Sequence, residues 1–302
     1  LSCIHCPHPA YKVSEYYSAE KLEPYLIKKM AEEIKNEGKG ITKYVRFTSN
    51  GEPLLHKDIM TFLTDTKNIS DTTVALTTNG TLLSTKNINK IIETGIDIID
   101  ISIDAFKDET YKVIRKGNLK VTRENVLNLI KVKNKNNSKL KVIVSYIEQP
   151  LNMKETNDFK NFWEDNGASK VVVRTLHSCS GAKEELAEKF KKEIINEQRR
   201  PCLYPWERVV LNAHGFLSFC PQDWVNGSLV SDFRETSIKE CWRGQFYNDL
   251  RKAHLTNSYK NFDFYRWAQW GISSKIRNFL YENKRHGMVA IDSKDSSLTE
   301  HQ

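Results

Sequence analysis

The chain is 302 residues long, enough for one large domain or one domain with a smaller appendage. With 39% apolar and 28% charged residues it reads as a globular protein that buries a core, and its six cysteines are too few for a disulfide scaffold. The net charge of +8 is dispersed through mixed lysine–glutamate stretches such as "EKLEPYLIKKMAEEIKNEGKG", which argues against nucleic acid as the partner. No apolar run reaches the roughly 18 residues that span a bilayer, and no stretch has the pattern of a signal sequence, so the expected compartment is the cytoplasm.

The first residues, "LSCIHCPHPAY", place Cys3 and Cys6 in a C-x2-C pair with His5 and His8 beside them. Two thiolates at this spacing suit half a zinc site, a redox dithiol or part of a larger cluster. The redox dithiol is disfavoured by context, because such motifs follow the first strand of a small βαβ domain. For zinc, His5 and His8 lie too close in sequence to complete a tetrahedral site easily.

Beyond this loop two hydrophobic periods alternate. Runs rich in β-branched residues predict strands at 43–49, 73–78, 98–104, 140–147 and 170–176, and helical spacing predicts helices at 20–37, 57–67, 84–94, 122–135, 155–166 and 183–198. Near-continuous apolar strands between helices imply a parallel sheet whose sites lie at the carboxyl ends of its strands. The unusual residues fall there: "SNGEP", "TNG", "SIDA", "IEQP" and "RTLHSC". A first strand just upstream of Leu1 would complete six βα units. The expected fold class is therefore α/β, a partial (β/α)6 TIM-like barrel with its first strand truncated, plus a small α+β C-terminal appendage.

After Arg200 the pattern changes. "ERVVLNAHGFLSFC" predicts a hairpin that turns at Ala213–His214–Gly215. "TSIKECWRGQFYNDLRKAH" predicts one amphipathic helix capped by Thr236 or Ser237. A further helix is expected at 272–284, then a polar tail. The expected domains are 1–198, 199–270 and 271–302.

"CIHC", "SNGEP", "TNG", "ISID" and "YKVIR", in this order on a βα scaffold, resemble the radical S-adenosylmethionine (SAM) superfamily. The resemblance covers about residues 1–180. That family's motif is C-x3-C-x2-C, so its missing first cysteine is expected two residues before Leu1. The resemblance implies a 4Fe–4S cluster held by three thiolates, Cys3 and Cys6 among them, with one iron left open for SAM. It implies a reaction in which a 5′-deoxyadenosyl radical takes hydrogen from a small-molecule or peptide substrate, fed by an electron donor such as flavodoxin or ferredoxin. It also implies SAM contacts at Asn50, Gly51, Glu52 and Pro53, with Glu52 receiving the ammonium group. Thr78, Asn79 and Gly80 would approach the ribose, and Ser102 and Arg115 would take the carboxylate. Asp104 is read as a cap for the following turn, and His5 as packing beside the cluster.

The appendage resembles the SPASM or twitch auxiliary-cluster domains through Cys202 and Cys220, spaced C-x12-G-x4-C. This implies a possible auxiliary iron–sulfur cluster. The further C-x2-C of those domains is absent from "YKNFDFYRWAQW"; Cys179 is the better extra ligand, and Cys241 reads as a small buried hydrophobe. Relatives of this layout oxidise sugar- or aminocyclitol-type alcohols or modify peptides, and "PC-x2-PW" looks nearer the first group. Arg174, His177, Asp223 and Glu148 are the candidates for a proton acceptor. The alternative from another class is a non-catalytic βα barrel whose thiols hold zinc.

Overall fold

The computed structural model describes residues 1–14, 17–18, 20–48, 51–176, 179, 202–224, 227–259 and 288–293. In chain order it forms α1 (His8–Lys12), α2 (Pro24–Glu37), β1 (Thr42–Phe47), α3 (Ile59–Ser70), β2 (Thr73–Thr78), α4 (Thr85–Glu93), β3 (Ile98–Ser102), α5 (Asp108–Arg115), α6 (Leu119–Lys135), β4 (Lys141–Glu148), α7 (Thr156–Asp165) and β5 (Lys170–Thr175). There follow α8 (Tyr204–Glu207), β6 (Arg208–Asn212), β7 (Phe216–Ser218), β8 (Leu229–Asp232), α9 (Ile238–Arg243), α10 (Gln245–Thr256) and β9 (Met288–Ser293). The chain divides into two compact units, one of residues 1–6 and 46–176, the other of residues 7–45 and 177–302.

In the first unit β2 to β5 pair parallel in the order β5-β4-β3-β2, and with the end of β1, Arg46–Phe47, next in that order the strands form a half-barrel. The registers Thr77↔Asp100, Ser102↔Ser145 and Ile147↔Arg174 fix which side chains share a face. One face carries Leu76, Ile99, Ile101, Val142, Val144 and Tyr146, all fully buried. The helices that supply the core's other layer bury Phe62 and Leu63, Ile88 and Ile91, Val126 and Leu129, and Phe159 and Trp163. Each such aliphatic side chain contributes about 1.5–3 kcal/mol of transfer free energy. The opposite face carries Thr77, Asp100, Ser102, Ser145 and Arg174 among Ala75, Ile143, Ile147 and Val172, so the charged side chains of the sheet interior gather there. The helices start where their caps lie: Ser84 accepts from the Asn87 N–H and Asn118 from the Val121 N–H.

The five expected strands are all present. Besides the short helices α1 and α8, one helix of the half-barrel was not among those expected: α5, which contains "YKVIR". The helix expected from 122 begins at Leu119, behind its Asn118 cap. The helices expected at 183–198 and 272–284 lie outside the described residues.

In the second unit β6 and β7 pair antiparallel (Val210↔Ser218, Leu211↔Leu217) around Gly215, whose φ of +80° suits glycine. β8 joins β7 and β9 joins β6, both antiparallel. β9 falls within the residues expected to be a polar tail. The single helix expected at 236–254 is two, α9 and α10, because Gly244 adopts extended backbone between them (φ −68°, ψ 165°). Ser237 is the N-cap of α9 and forms a reciprocal capping box with Glu240. No described helix is long and apolar enough to cross a membrane.

Candidate active site

The Cys3–Cys6 loop is a tight turn: the Cys6 N–H donates to the Cys3 carbonyl at 3.1 Å. The Ile4 N–H donates to the Ile114 carbonyl in the last turn of α5 at 2.9 Å, which ties the thiols to Arg115. Burial pushes the Cys3 thiol upward, while the Arg115 guanidinium pulls it down and the Asp104 carboxylate pushes it up.

Glu52 lies beyond β1. One carboxylate oxygen accepts from the Thr78 hydroxyl at 2.7 Å and the Leu54 N–H at 3.1 Å, and the other from the Asn79 N–H at 2.8 Å. It thus caps the 3₁₀ turn Pro53–Leu55 and locks it to the end of β2. Burial raises the Glu52 carboxyl above its ordinary range, opposed by the Asn79, Thr78 and Leu54 donors and by Arg115. Gly80 follows at φ +77°; a Cβ there would stand 3.0 Å from Ile101 Cγ2 and 3.2 Å from Thr122 Cγ2. Gly80→Ala is therefore expected to destabilise the fold by about 1–3 kcal/mol, read as a lower denaturant midpoint.

Asp104, read from the sequence as a turn cap, is instead the hub of this region. It is fully buried and left-handed (φ +64°). One oxygen meets Arg115 Nη1 at 2.7 Å, and the other accepts from the Ile147 N–H at 2.7 Å. His5 Nε2 stands 3.6 Å away, and Nδ1 of the same ring is 3.5 Å from Gln149 Nε2. Burial opposes the charge on Arg115, and Asp104, Cys3 and Tyr111 together more than offset it. Arg115 Nε is buried with no hydrogen-bond partner among the described residues.

The remaining candidates are dispersed. Ser102 ends β3 on the face that carries Asp100. Arg174, on the same face, meets the Asp100 carboxylate at 2.7 Å, and Arg46 meets it at 2.9 Å. Glu148 ends β4 with the parity of the helix-packed face and accepts from Thr156 Oγ1 at 2.7 Å. Asp223, in the second unit, is buried and accepts from the Gly227 and Ser228 N–H groups and the Ser228 hydroxyl. Asn50 and His177 lie outside the described residues; Gly51 and Pro53 lie in the Glu52 loop. Asp100 was missed, although a charged residue inside "IIDIS" is itself the signal.

In the second unit Tyr204 is raised by burial and by both Cys220 and Cys202, so the two thiols share its surroundings. The Cys202 N–H donates to His254 Nδ1 at 3.3 Å. Cys241 is buried, its thiol pushed up by burial, as a small hydrophobe would be. Cys179 is also buried. Among the described residues no group of three or more His, Cys, Asp or Glu gathers as a metal site.

The sequence model of the Radical SAM superfamily matches residues 1–159. The chain belongs to the Radical SAM superfamily. A second model, an iron–sulfur cluster-binding (SPASM) domain, matches residues 202–264. A protein named "Probable GTP 3′,8-cyclase" from Methanocaldococcus jannaschii is 30% identical over 158 residues, 48% of this chain and 51% of its own length. A GTP 3′,8-cyclase from Limosilactobacillus fermentum is 33% identical over 116 residues, 34% of each chain. The chain spans about half or less of the length of the curated relatives it matches. Among solved structures, BtrN in complex with AdoMet and 2-DOIA aligns with a TM-score of 0.53 at 17% identity, covering 84% of this chain and 81% of BtrN. AnSMEcpe with AdoMet and the Cp18Cys peptide aligns with a TM-score of 0.58 at 12% identity, covering 89% and 84%. At these identities the likeness is one of fold.

The cofactors of a radical SAM enzyme with a SPASM domain are a 4Fe–4S cluster, SAM and an auxiliary iron–sulfur cluster. The radical SAM residues described here fit the first two in kind. Cys3 and Cys6 offer two thiols from one turn. Glu52 and Arg115 offer opposite charges to an amino acid's ammonium and carboxylate, and the buried, unpartnered Arg115 Nε has room in its bonding for one more acceptor. For an auxiliary cluster the described residues bring two thiols to Tyr204 and no third ligand beside them.

Proposed function

We propose that this chain is the catalytic part of a radical SAM enzyme that removes a hydrogen atom from a sugar- or aminocyclitol-type alcohol. The observation that carries the reading is the half-buried Glu52 carboxylate within electrostatic reach of the buried Arg115, which is also within reach of Cys3. Cys3 and Cys6 would hold the 4Fe–4S cluster. Glu52 would receive the SAM ammonium, and Arg115 with Ser102 its carboxylate, bidentate recognition that suits a planar guanidinium. Thr78, Asn79 and Gly80 would lie along its ribose. When bound, cluster and SAM together supply the 5′-deoxyadenosyl radical that takes the substrate's hydrogen.

The alcohol is favoured by "PC-x2-PW" at 201–206; the fold is shared with BtrN, which was solved with AdoMet and 2-DOIA. Peptide modification is the competing outcome, since the fold is shared equally with anSMEcpe and its bound peptide. The test is anaerobic reconstitution with iron and sulfide, followed by measurement of 5′-deoxyadenosine under reductant. Protein that binds zinc alone and never cleaves SAM would remove the reading. Dependence of the yield on added cyclitols rather than on peptides would separate the two substrates.

Glu52 also predicts a pH dependence. Its ionised form is the one that receives an ammonium group, and its carboxyl is raised above the ordinary value of about 4.3. SAM affinity should therefore weaken as pH falls, with the loss beginning above the pH at which an ordinary glutamate titrates. Glu52→Gln should remove that inflection and weaken SAM binding by about 10- to 100-fold, the range of a charge-assisted hydrogen bond. Equilibrium SAM binding across pH, on protein checked for an intact melting transition, measures both.

A further inference from the structure

Asp100 stands in the middle of the apolar strand β3 and is 1% exposed. Two guanidinium groups meet its carboxylate: Arg46 from β1 at 2.9 Å and Arg174 from β5 at 2.7 Å, while the Ser145 hydroxyl of β4 takes its other oxygen. Burial works to raise this acid, but Arg174, Ser145 and Arg46 together hold it below the usual carboxylate range. Two permanent positive charges thus face one permanent negative charge on this face of the half-barrel.

One arginine would neutralise Asp100. Arg46 also donates to the Thr77 hydroxyl at 3.2 Å, so its fork is engaged on β2 as well as on β3. Arg174 is also the less enclosed of the two: its side chain is 41% exposed, against 26% for Arg46. It directs one Nη to Asp100, and no other hydrogen-bond acceptor meets it among the described residues. A guanidinium has five N–H donors in a planar fork, so the edge turned away from Asp100 remains available. The register puts Arg174 beside Ile147, level with the carboxyl ends of β3 and β4, while Ser102 lies two residues beyond Asp100 on the same face. Two residues of strand are about 6.6 Å. The arginine fork therefore shares a face, about one side-chain layer apart, with a residue of the SAM site.

We propose that Arg174, seated on Asp100, binds an oxyanion of the substrate, a carboxylate or a phosphate, and so selects an anionic substrate. This rests on the proposed function only in that the anion belongs to the molecule whose hydrogen is removed. Asp100 is then a positioning residue that fixes the plane of the fork. Arg174 cannot serve as a proton acceptor, because a guanidinium stays protonated in proteins.

The experiment titrates inorganic phosphate, and separately acetate, into the reconstituted full chain by calorimetry, with chloride at matched ionic strength as the control. The wild type should bind at least one of the two anions more tightly than chloride. Arg174→Gln should weaken that binding about tenfold or more with SAM affinity unchanged, measured on protein that still melts cooperatively. Arg174→Lys, which keeps the charge and loses the fork, should fall between. Phosphate binding alone assigns a phosphorylated substrate, and acetate binding alone a carboxylic acid. If neither anion outcompetes chloride, or if Arg174→Gln binds as the wild type does, the inference is overturned. Should Arg174→Gln fail to fold, unchanged anion affinity in Arg174→Lys overturns it equally. SAM binding measured alongside keeps the two readings apart: lost anion binding with SAM intact strikes only this one.

Discussion

Cys3→Ala and Cys6→Ala are each expected to abolish SAM cleavage while leaving the protein folded. The thiols lie in a short turn at the edge of the first unit, held by backbone hydrogen bonds from Ile4 and Cys6 that alanine retains. Neither side chain belongs to the apolar core, which is built from the helix-packed face of the sheet. The expected loss is chemical. Removing even an outer partner of a metal ligand lowers metal affinity or activity about 10- to 100-fold, so removing a ligand itself should exceed that range. Iron and sulfide per chain, 5′-deoxyadenosine formed under reductant, and far-ultraviolet circular dichroism separate the two kinds of effect. The same alanine substitution at Cys202 or Cys220 should lower the iron content only if the second unit holds a cluster. Iron content unchanged in both would leave the two thiols near Tyr204 without a metal. Iron retained in full by Cys3→Ala and Cys6→Ala together would end the cluster assignment.

The contrast between the two pairs of thiols follows from what surrounds them. Cys3 shares its surroundings with a buried arginine and a buried carboxylate, and it lies one turn from Arg115 in the chain's hydrogen bonding. Cys202 and Cys220 share theirs with Tyr204, while a histidine accepts the Cys202 N–H. The first environment matches a charged cofactor. The second combines aromatic rings, with His254 packed against Trp206 and Tyr259, and the Arg208 guanidinium stacked over Tyr204 at 4.1 Å.

The strands were legible because each is a run of β-branched and apolar residues bounded by turn formers, and packing agrees with the local preference. "SNGEP" and "TNG" were legible as turns, and Glu52, Thr78 and Asn79 do meet at two of those turns. α5 was not legible. It has eight residues, too few for an apolar period to stand out, and its ends are set by charge: Asp108 and Glu109 in the first turn, Lys112 and Arg115 in the last. The break at Gly244 was hidden for the opposite reason. The apolar spacing runs on through it, and only the backbone reports that α9 and α10 are separate. Asp104 was misread because its partners are remote: Arg115 is eleven residues on and Ile147 forty-three. A buried ion pair depends on which strand ends lie side by side, and a single sequence does not state that.

The Asp104–Arg115 pair makes the largest stability prediction. Removing one partner of a buried ion pair leaves the other charge desolvated, at a cost of about 3–5 kcal/mol. Arg115→Met should therefore lower the thermal midpoint steeply. Asp104→Asn should do so by a comparable amount, even though asparagine tolerates the left-handed backbone and its carbonyl can still accept from the Ile147 N–H. The double variant removes both charges, so its destabilisation should fall short of the sum of the singles by more than about 1 kcal/mol. That non-additivity is what an ion pair requires; strict additivity would mean that the two groups act independently. SAM affinity tells the rest. If Arg115 both pairs with Asp104 and receives the SAM carboxylate, the double variant should recover much of its stability and none of its SAM binding. If it recovers both, Arg115 is a structural residue alone, and the SAM carboxylate must be held by another group.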